Sequence, residues 1–171
     1  MLFIADTQRG LFIAQGQARR MAIGKSGAAP AEHKHEGDGK TPLGRYRIEH
    51  GFYRPDRMNA PISGVPLHGI SQSDGWCDAP GDPRYNDHVT LPYEASHEPL
   101  QREDALYDLV FVLSHNRWPS VPGYGSAIFL HVAETQESGA LKPTLGCLAL
   151  QRGDLLAIAP LITPQSWLII R

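Results

Sequence analysis

Cysteine is scarce in this chain: 171 residues hold two, Cys77 and Cys147. A disulfide-stapled scaffold would carry more, so the fold must rest on an apolar core. Whether the two cysteines pair with each other is not decided by their positions. Long apolar runs are missing as well. No stretch approaches the ~18 residues that a membrane-spanning helix needs. The opening MLFIADTQRG has no charged segment leading into an apolar run of the kind that directs export. Basic runs are absent; the longest candidate is Arg19-Arg20, and the net charge is -2. Nothing in that pattern tracks a phosphate backbone, so nucleic acid is not expected as a partner.

The residues that are present describe an ordinary globular chain. Hydrophobic residues make up 42% and charged residues 20%, and the length suits one domain over residues 1–171 with a sizeable core. Seventeen glycines and 14 prolines point to many turns and short elements. Leu2-Phe3-Ile4 and Leu11-Phe12-Ile13 read as a hairpin around a polar turn, with a third strand near Met21-Ala22-Ile23. Residues 24–39 read as a polar loop, whose His33 and His35 lack further metal-ligand pattern. Gly39-Lys40-Thr41 is not a phosphate loop: the glycine required five residues earlier is Lys34, and no helix pattern follows. A strand is expected from Gly44 through Ile48. Residues 51–104 are the least regular and read as a long loop region. Strands follow at 109–113, 127–132 and 145–150, then a helix at 154–159 ended by Pro160, then a strand at 167–170. The expected fold is therefore mainly β, a sandwich or partly open barrel with one or two short helices.

One pair of residues suggests chemistry. His131 ends an apolar strand, and Cys147 follows within Pro143-Thr144-Leu145-Gly146-Cys147-Leu148. A free thiol has a pKa of about 8.5 and is mostly protonated at neutral pH. An imidazole nearby can take its proton or stabilise the thiolate as an ion pair. Gly146 allows close approach of a substrate carbonyl, and backbone N–H groups around Leu145 to Cys147 are candidates to hold an oxyanion. Taken alone the pair decides little, because most cysteines are buried and inert.

The surrounding residues add a resemblance. His131 followed by Thr144-Leu145-Gly146-Cys147 resembles the catalytic motif of the L,D-transpeptidases, the YkuD-like family: a His, a spacer, then Ser/Thr-x-Gly-Cys. Gly37-Asp38-Gly39-Lys40-Thr41-Pro42-Leu43-Gly44-Arg45-Tyr46 is similar to that family's Thr-Pro-x-Gly entry strand, and the hairpin at 2–24 to its usual start. Gly75-Trp76-Cys77-Asp78 looks like a feature of the branch lacking the common His-Gly-Cys form. The resemblance implies a β-sandwich-like fold, Cys147 as nucleophile, His131 as base and Thr144 as a hydrogen-bonding support. It implies attack on the L-centre to D-centre bond of a peptidoglycan stem, with release of the terminal D-residue and transfer to an amine or to water. Peptidoglycan stem peptides would be the partner, and no metal or organic cofactor is implied. The substrate implies the periplasm or cell envelope; without a visible export signal, a cytoplasmic enzyme acting on recycled wall fragments stays open.

Two positions depart from the family pattern. Leu145 stands where many members have His, and Ala149 where many have Arg or Asn, a group suited to a substrate carboxylate. Other candidates are weaker. Leu67-His68-Gly69-Ile70 resembles the Ile-His-Gly around the family's catalytic His but lies far upstream. Trp76 is either a substrate wall or a loop anchor, and His115 and Asn116 are strand-end residues that could line a cleft. Cys77 reads as structural, since no Ser/Thr-x-Gly precedes it and Asp78 beside it would raise its pKa. A sortase-like enzyme would need a longer His–Cys gap and a catalytic Arg; only Arg152 is near. Papain-like peptidases place Cys before His. A non-catalytic peptidoglycan-binding module of the same fold would be expected to lose Cys147 or His131, and a thiol unreactive to small alkylating agents would favour it. A thiolate–imidazolium pair predicts a bell-shaped pH profile.

Overall fold

A computed structural model describes residues 1–171. The chain opens with three antiparallel strands, β1 (Leu2–Asp6), β2 (Leu11–Ala14) and β3 (Gln17–Ala22). Alternation decides their facing: Phe3, Ala5, Phe12 and Ala14 are buried, and the Phe3 and Phe12 rings lie 5.7 Å apart. Gln15 and Gly16 both take positive φ, 50° and 75°, the pattern of a two-residue hairpin turn that matches strand twist. The third strand thus begins at Gln17, earlier than its apolar end alone predicts.

A short strand β4 (Ala28–Pro30) leads through a 3-10 turn to β5 (Thr41–Tyr46), and β6 (Ile48–Tyr53) follows at once. The region expected to be a long loop holds four more short strands: β7 (Leu67–Gly69), β8 (Asp74–Cys77), β9 (His88–Thr90) and β10 (His97–Pro99). They are three or four residues long and interrupted by proline and glycine, which hides their alternation from sequence. Next come β11 (Leu109–Leu113), β12 (Phe129–Val132) and β13 (Leu148–Leu150), the last two shorter than expected, then helix α1 (Arg152–Ile158) and β14 (Trp167–Ile170). The helix begins two residues before the expected Asp154. Pro160 lies in a 3-10 turn that follows it.

Eleven strands form one sheet in the order β4-β5-β14-β1-β2-β3-β13-β12-β11-β6-β7. It cannot be flat. β5 lies next to one edge and β6 next to the other, yet Arg47 alone joins them. Arg47 is held there by Ser114, whose amide donates to its carbonyl at 3.0 Å and whose hydroxyl accepts from its amide at 2.8 Å. The sheet therefore curls back on itself into the partly open barrel expected from the mostly β pattern. Leu155 and Ile158 of α1 are buried in the enclosed core with Phe111, Leu130 and Leu148. Removing one such Leu side chain would cost about 2–5 kcal/mol.

Every residue of β11 is buried, because both its faces are covered. Leu109, Phe111 and Leu113 point into the barrel core, whereas Val110 and Val112 join Phe52, Trp76, Leu100, Tyr107 and Phe129 in a second cluster. That second cluster glues the small sheet β10-β8-β9 to the outer face of the barrel. No helix is long and apolar enough to cross a membrane.

Candidate active site

The same period-two rule places His131 and Cys147 together. Leu130 and Val132 of β12 face the barrel core, as do Leu148 and Leu150 of β13. His131 and Ala149 therefore face outward, toward the small sheet, and β12 and β13 run parallel with His131 paired to Ala149. Cys147 precedes Ala149 by two residues and shares that face. Both His131 and Cys147 line a cleft of about 550 Å³ between the barrel and the small sheet.

Each is held by backbone groups. The Cys147 thiol donates to the Ala127 carbonyl at 3.1 Å, and the Phe129 amide donates to the sulfur at 3.3 Å. His131 Nδ1 lies 2.8 Å from the Val132 carbonyl. A carbonyl oxygen can only accept, so Nδ1 carries the proton and Nε2 keeps its lone pair. The Tyr107 ring packs edge-on against the imidazole, with centroids 5.6 Å apart. The Tyr107 hydroxyl donates to Glu98 at 2.8 Å, and Arg102 binds the same carboxylate oxygen at 3.0 Å.

The resting ionisation differs from the expected thiolate–imidazolium pair. Burial of the sulfur pushes the Cys147 thiol up to about 12, against the lowering effect of the Phe129 amide. Burial also pushes His131 down to about 4. Both groups are neutral at pH 7, as desolvation of two unpaired ionisable groups requires. The site is thus a thiol hydrogen-bonded to backbone and an imidazole nitrogen without a partner, both opening into one cleft. It suits proton transfer concerted with attack rather than a preformed thiolate.

The loop before Cys147 is fixed by Thr144. Its amide donates to Ile23 O at 2.9 Å and its carbonyl accepts from the Lys25 amide at 2.8 Å. Its hydroxyl donates to the Cys147 carbonyl at 2.7 Å and accepts from the Gly146 amide at 3.1 Å. The Gly146 N–H is therefore engaged, while the amides of Leu145 and Cys147 make no hydrogen bond within the chain. Those two amides remain without an acceptor. Gly146 takes φ +146°, and a Cβ there would lie 3.0 Å from the Lys40 carbonyl, so the position requires glycine. The Leu145 side chain is 75% exposed at the rim of the cleft.

The remaining candidates lie elsewhere. Trp76 does not line the cleft: it is fully buried, stands perpendicular to the Phe129 ring at 5.0 Å, and donates from Nε1 to Asn86 at 3.0 Å. It is the anchor rather than the substrate wall. His115 is buried with Nε2 at 3.0 Å from the Tyr124 carbonyl. Asn116 spends its amide on Val121 and Gly125. Both support the loop that leads to Ala127 from behind. His68 sits exposed on β7 beside His50, with centroids 6.1 Å apart. Cys77 is buried with its thiol raised by desolvation, and both cysteines are free thiols.

Asn86 was not visible as a site residue in the sequence. It is buried with φ 59°. Its Nδ2 donates to the carbonyls of His115 and Asn116, and its Oδ1 accepts from Trp76 Nε1 and the Ala127 amide, all between 2.7 and 3.1 Å. It thereby fixes Ala127, which in turn holds the thiol. The one signal for it is an Asn in an irregular segment, a residue that tolerates left-handed backbone.

The chain is similar to a solved L,D-transpeptidase from Mycobacterium smegmatis at 12% identity, with a TM-score of 0.47. The match covers 99% of this chain and 58% of that one, so this chain spans well under two thirds of its length. No curated protein sequence matches the chain. The family model of the L,D-transpeptidase catalytic domain, YkuD, matches residues 2–170, and the chain therefore belongs to the YkuD family of L,D-transpeptidase catalytic domains.

Proposed function

We propose that this protein is a cysteine acyl transferase that cuts the L,D bond of a peptidoglycan tetrapeptide stem and passes the acyl group to a second stem's amine. The observation that carries the reading is the opening of His131 and Cys147 into one cleft, with His131 Nδ1 bound to Val132 and Nε2 free. Family membership supports the choice of bond.

The chemistry follows from the resting state. Cys147 Sγ attacks the carbonyl carbon of the L-centre while His131 Nε2 takes the thiol proton. The carbonyl oxygen becomes an oxyanion that the Leu145 and Cys147 amides are free to receive. Collapse of this intermediate breaks the C–N bond, and the departing D-residue amine takes the proton from His131. A thioester on Cys147 remains. An incoming amine then attacks it, gives one proton to His131, and leaves with the acyl group as a new amide while the thiol regains its proton. Water in place of the amine gives the free tripeptide. The Val132 carbonyl keeps the ring oriented and stabilises the transient imidazolium.

The test is product analysis with a purified disaccharide-tetrapeptide. The reading expects release of one D-amino acid per turnover and a crosslinked dimer retaining three residues on the donor. Tripeptide without dimer would reassign the enzyme as an L,D-carboxypeptidase. Intact tetrapeptide after long incubation would contradict the reading, and a fold-keeping binding module would take its place.

A further inference from the structure

Trp118 is a large apolar side chain that a rigid loop holds in water. It is 71% exposed. Its backbone takes φ +44°, a conformation that bulky residues rarely adopt and that persists only where the surroundings enforce it. The two preceding residues do so. The Arg117 side chain is buried; its guanidinium pairs with Glu49 at 3.0 Å and donates to the Asn86 carbonyl at 2.6 Å. Asn116 closes the loop behind it. Its Nδ2 donates to the carbonyls of Val121 and Gly125, and its Oδ1 accepts from the Val121 amide, all between 2.8 and 3.0 Å. A fixed backbone thus displays an apolar face to solvent, the mark of a binding surface.

Trp118 lines a groove of about 130 Å³, close to the ~150 Å³ that takes a single six-membered ring. The groove is otherwise polar. Arg84 and Asp87, paired at 3.0 Å, line it, and Ser120 brings a hydroxyl. A flat apolar face beside hydroxyl, carboxylate and guanidinium groups matches a pyranose, whose C–H bonds lie on its faces and whose hydroxyls lie around its edge. A wholly apolar ligand would strip water from Arg84 and Asp87 without replacing it, and an anion would meet the Asp87 carboxylate.

The groove adjoins the catalytic cleft. Tyr85 and Asn86 both line it. The Tyr85 hydroxyl donates to Glu36, a residue of the cleft wall. Asn86 Oδ1 accepts at 3.0 Å from the amide of Ala127, whose carbonyl holds the Cys147 thiol. Farther along the Trp118 loop, the Gly123 carbonyl accepts from the Glu36 amide at 2.9 Å. Three stem residues span about 10 Å, so a stem with its third residue at the thiol brings the sugar it hangs from to the rim of the cleft. We infer that Trp118 stacks on the sugar that carries the donor stem, and that its groove is a saccharide subsite. The inference rests on the transpeptidase reading and extends the donor from a bare peptide to a peptide borne on glycan.

The test has two arms. In the first, D-residue release is timed on a free tetrapeptide and on the same tetrapeptide borne on its disaccharide. Wild type should favour the disaccharide donor in kcat/KM by roughly tenfold, the value of one stacked ring, and through KM rather than kcat. Trp118→Ala should bring the ratio between donors close to one, and Trp118→Phe should keep part of it. A wild-type ratio of one would overturn the inference and leave the transpeptidase reading standing. A ratio that survives in Trp118→Ala, with equal losses on both donors, would mean a purely structural role and overturn it too. In the second arm, calorimetry measures binding of the same two donors to the Cys147→Ala protein, with and without Trp118→Ala. A tenfold tighter disaccharide donor, levelled by Trp118→Ala, supports the subsite even where wild type turns over neither donor and the enzyme reading falls. Equal affinities, or no binding of either donor, would overturn the subsite.

Discussion

The amide of Phe129 donates to the sulfur of Cys147 at 3.3 Å, while the thiol donates back to Ala127, two residues before Phe129 and just ahead of β12. One stretch of backbone thus holds the thiol from both sides. The amide favours a thiolate and the carbonyl favours a thiol. With burial dominating, the thiol wins at rest, and the amide is in place for the charge that develops on attack.

This balance sets the pH profile. In the proposed mechanism His131 must be neutral to act as base, and its pKa is held at about 4 by burial. The acylation rate should therefore be level from pH 5 to 8 and fall only as pH approaches 4. A limb near the ordinary imidazole value of about 6.5 would show that the free enzyme carries a differently solvated His131. The thiol limb should be absent below about pH 10, since the group lies at about 12. Slow alkylation of Cys147 by iodoacetamide at neutral pH, rising with alkali, is the matching expectation. Sluggish alkylation is therefore no sign of a mere binding module here.

Stability should respond to acid through the same histidine. His131 is neutral in the fold and has its pKa lowered from 6.5 to about 4. Its depressed value means the unfolded chain binds the proton first as pH falls. Stability is lost between about 6.5 and 4 and levels off below, by on the order of 3 kcal/mol. His50, also lowered to about 4 by desolvation, acts in the same direction. Glu98, raised by burial, opposes them above 4.5. Chemical denaturation at pH 7 and pH 5 measures the sum; a midpoint unchanged or higher at pH 5 would contradict it.

Gly146→Ala should damage both fold and function. The added Cβ meets the Lys40 carbonyl at a φ of +146°, a strain of about 1–3 kcal/mol. The 144–147 turn would shift, and acylation should fall more than tenfold with a melting temperature lower by several degrees. An active, fully stable variant would mean the turn is looser than its hydrogen bonds imply.

Asn86→Ala removes four hydrogen bonds at a buried position. The cost should be about 2–4 kcal/mol, and the surviving folded enzyme should acylate more slowly because Ala127 is no longer fixed. Asn86→Asp keeps the acceptor for Trp76 and Ala127 but loses the donors to residues 115 and 116, and should fall between. Equal behaviour of the two variants would argue against the shared role of Oδ1.

Much of the barrel was legible in the residues. The runs 109–113 and 167–170 are continuously apolar and rich in β-branched and aromatic residues, so they read directly. His131 and Cys147 were singled out by the family resemblance of their spacing and Thr-x-Gly-Cys turn, and the structure lines one cleft with both. The strands between 67 and 99 did not read from the sequence, because three-residue strands carry too little alternation to register. The fate of Trp76 was equally hidden: whether an aromatic in a loop packs inward depends on Phe129, fifty-three positions away.

The most direct test of the central claim is the intact mass of the protein after incubation with a disaccharide-tetrapeptide, beside a Cys147→Ala control. An adduct equal to the donor minus its terminal D-residue, absent in the control, is the predicted result. An unmodified wild-type mass accompanied by donor turnover, or an adduct that persists in the control, would contradict Cys147 as the nucleophile.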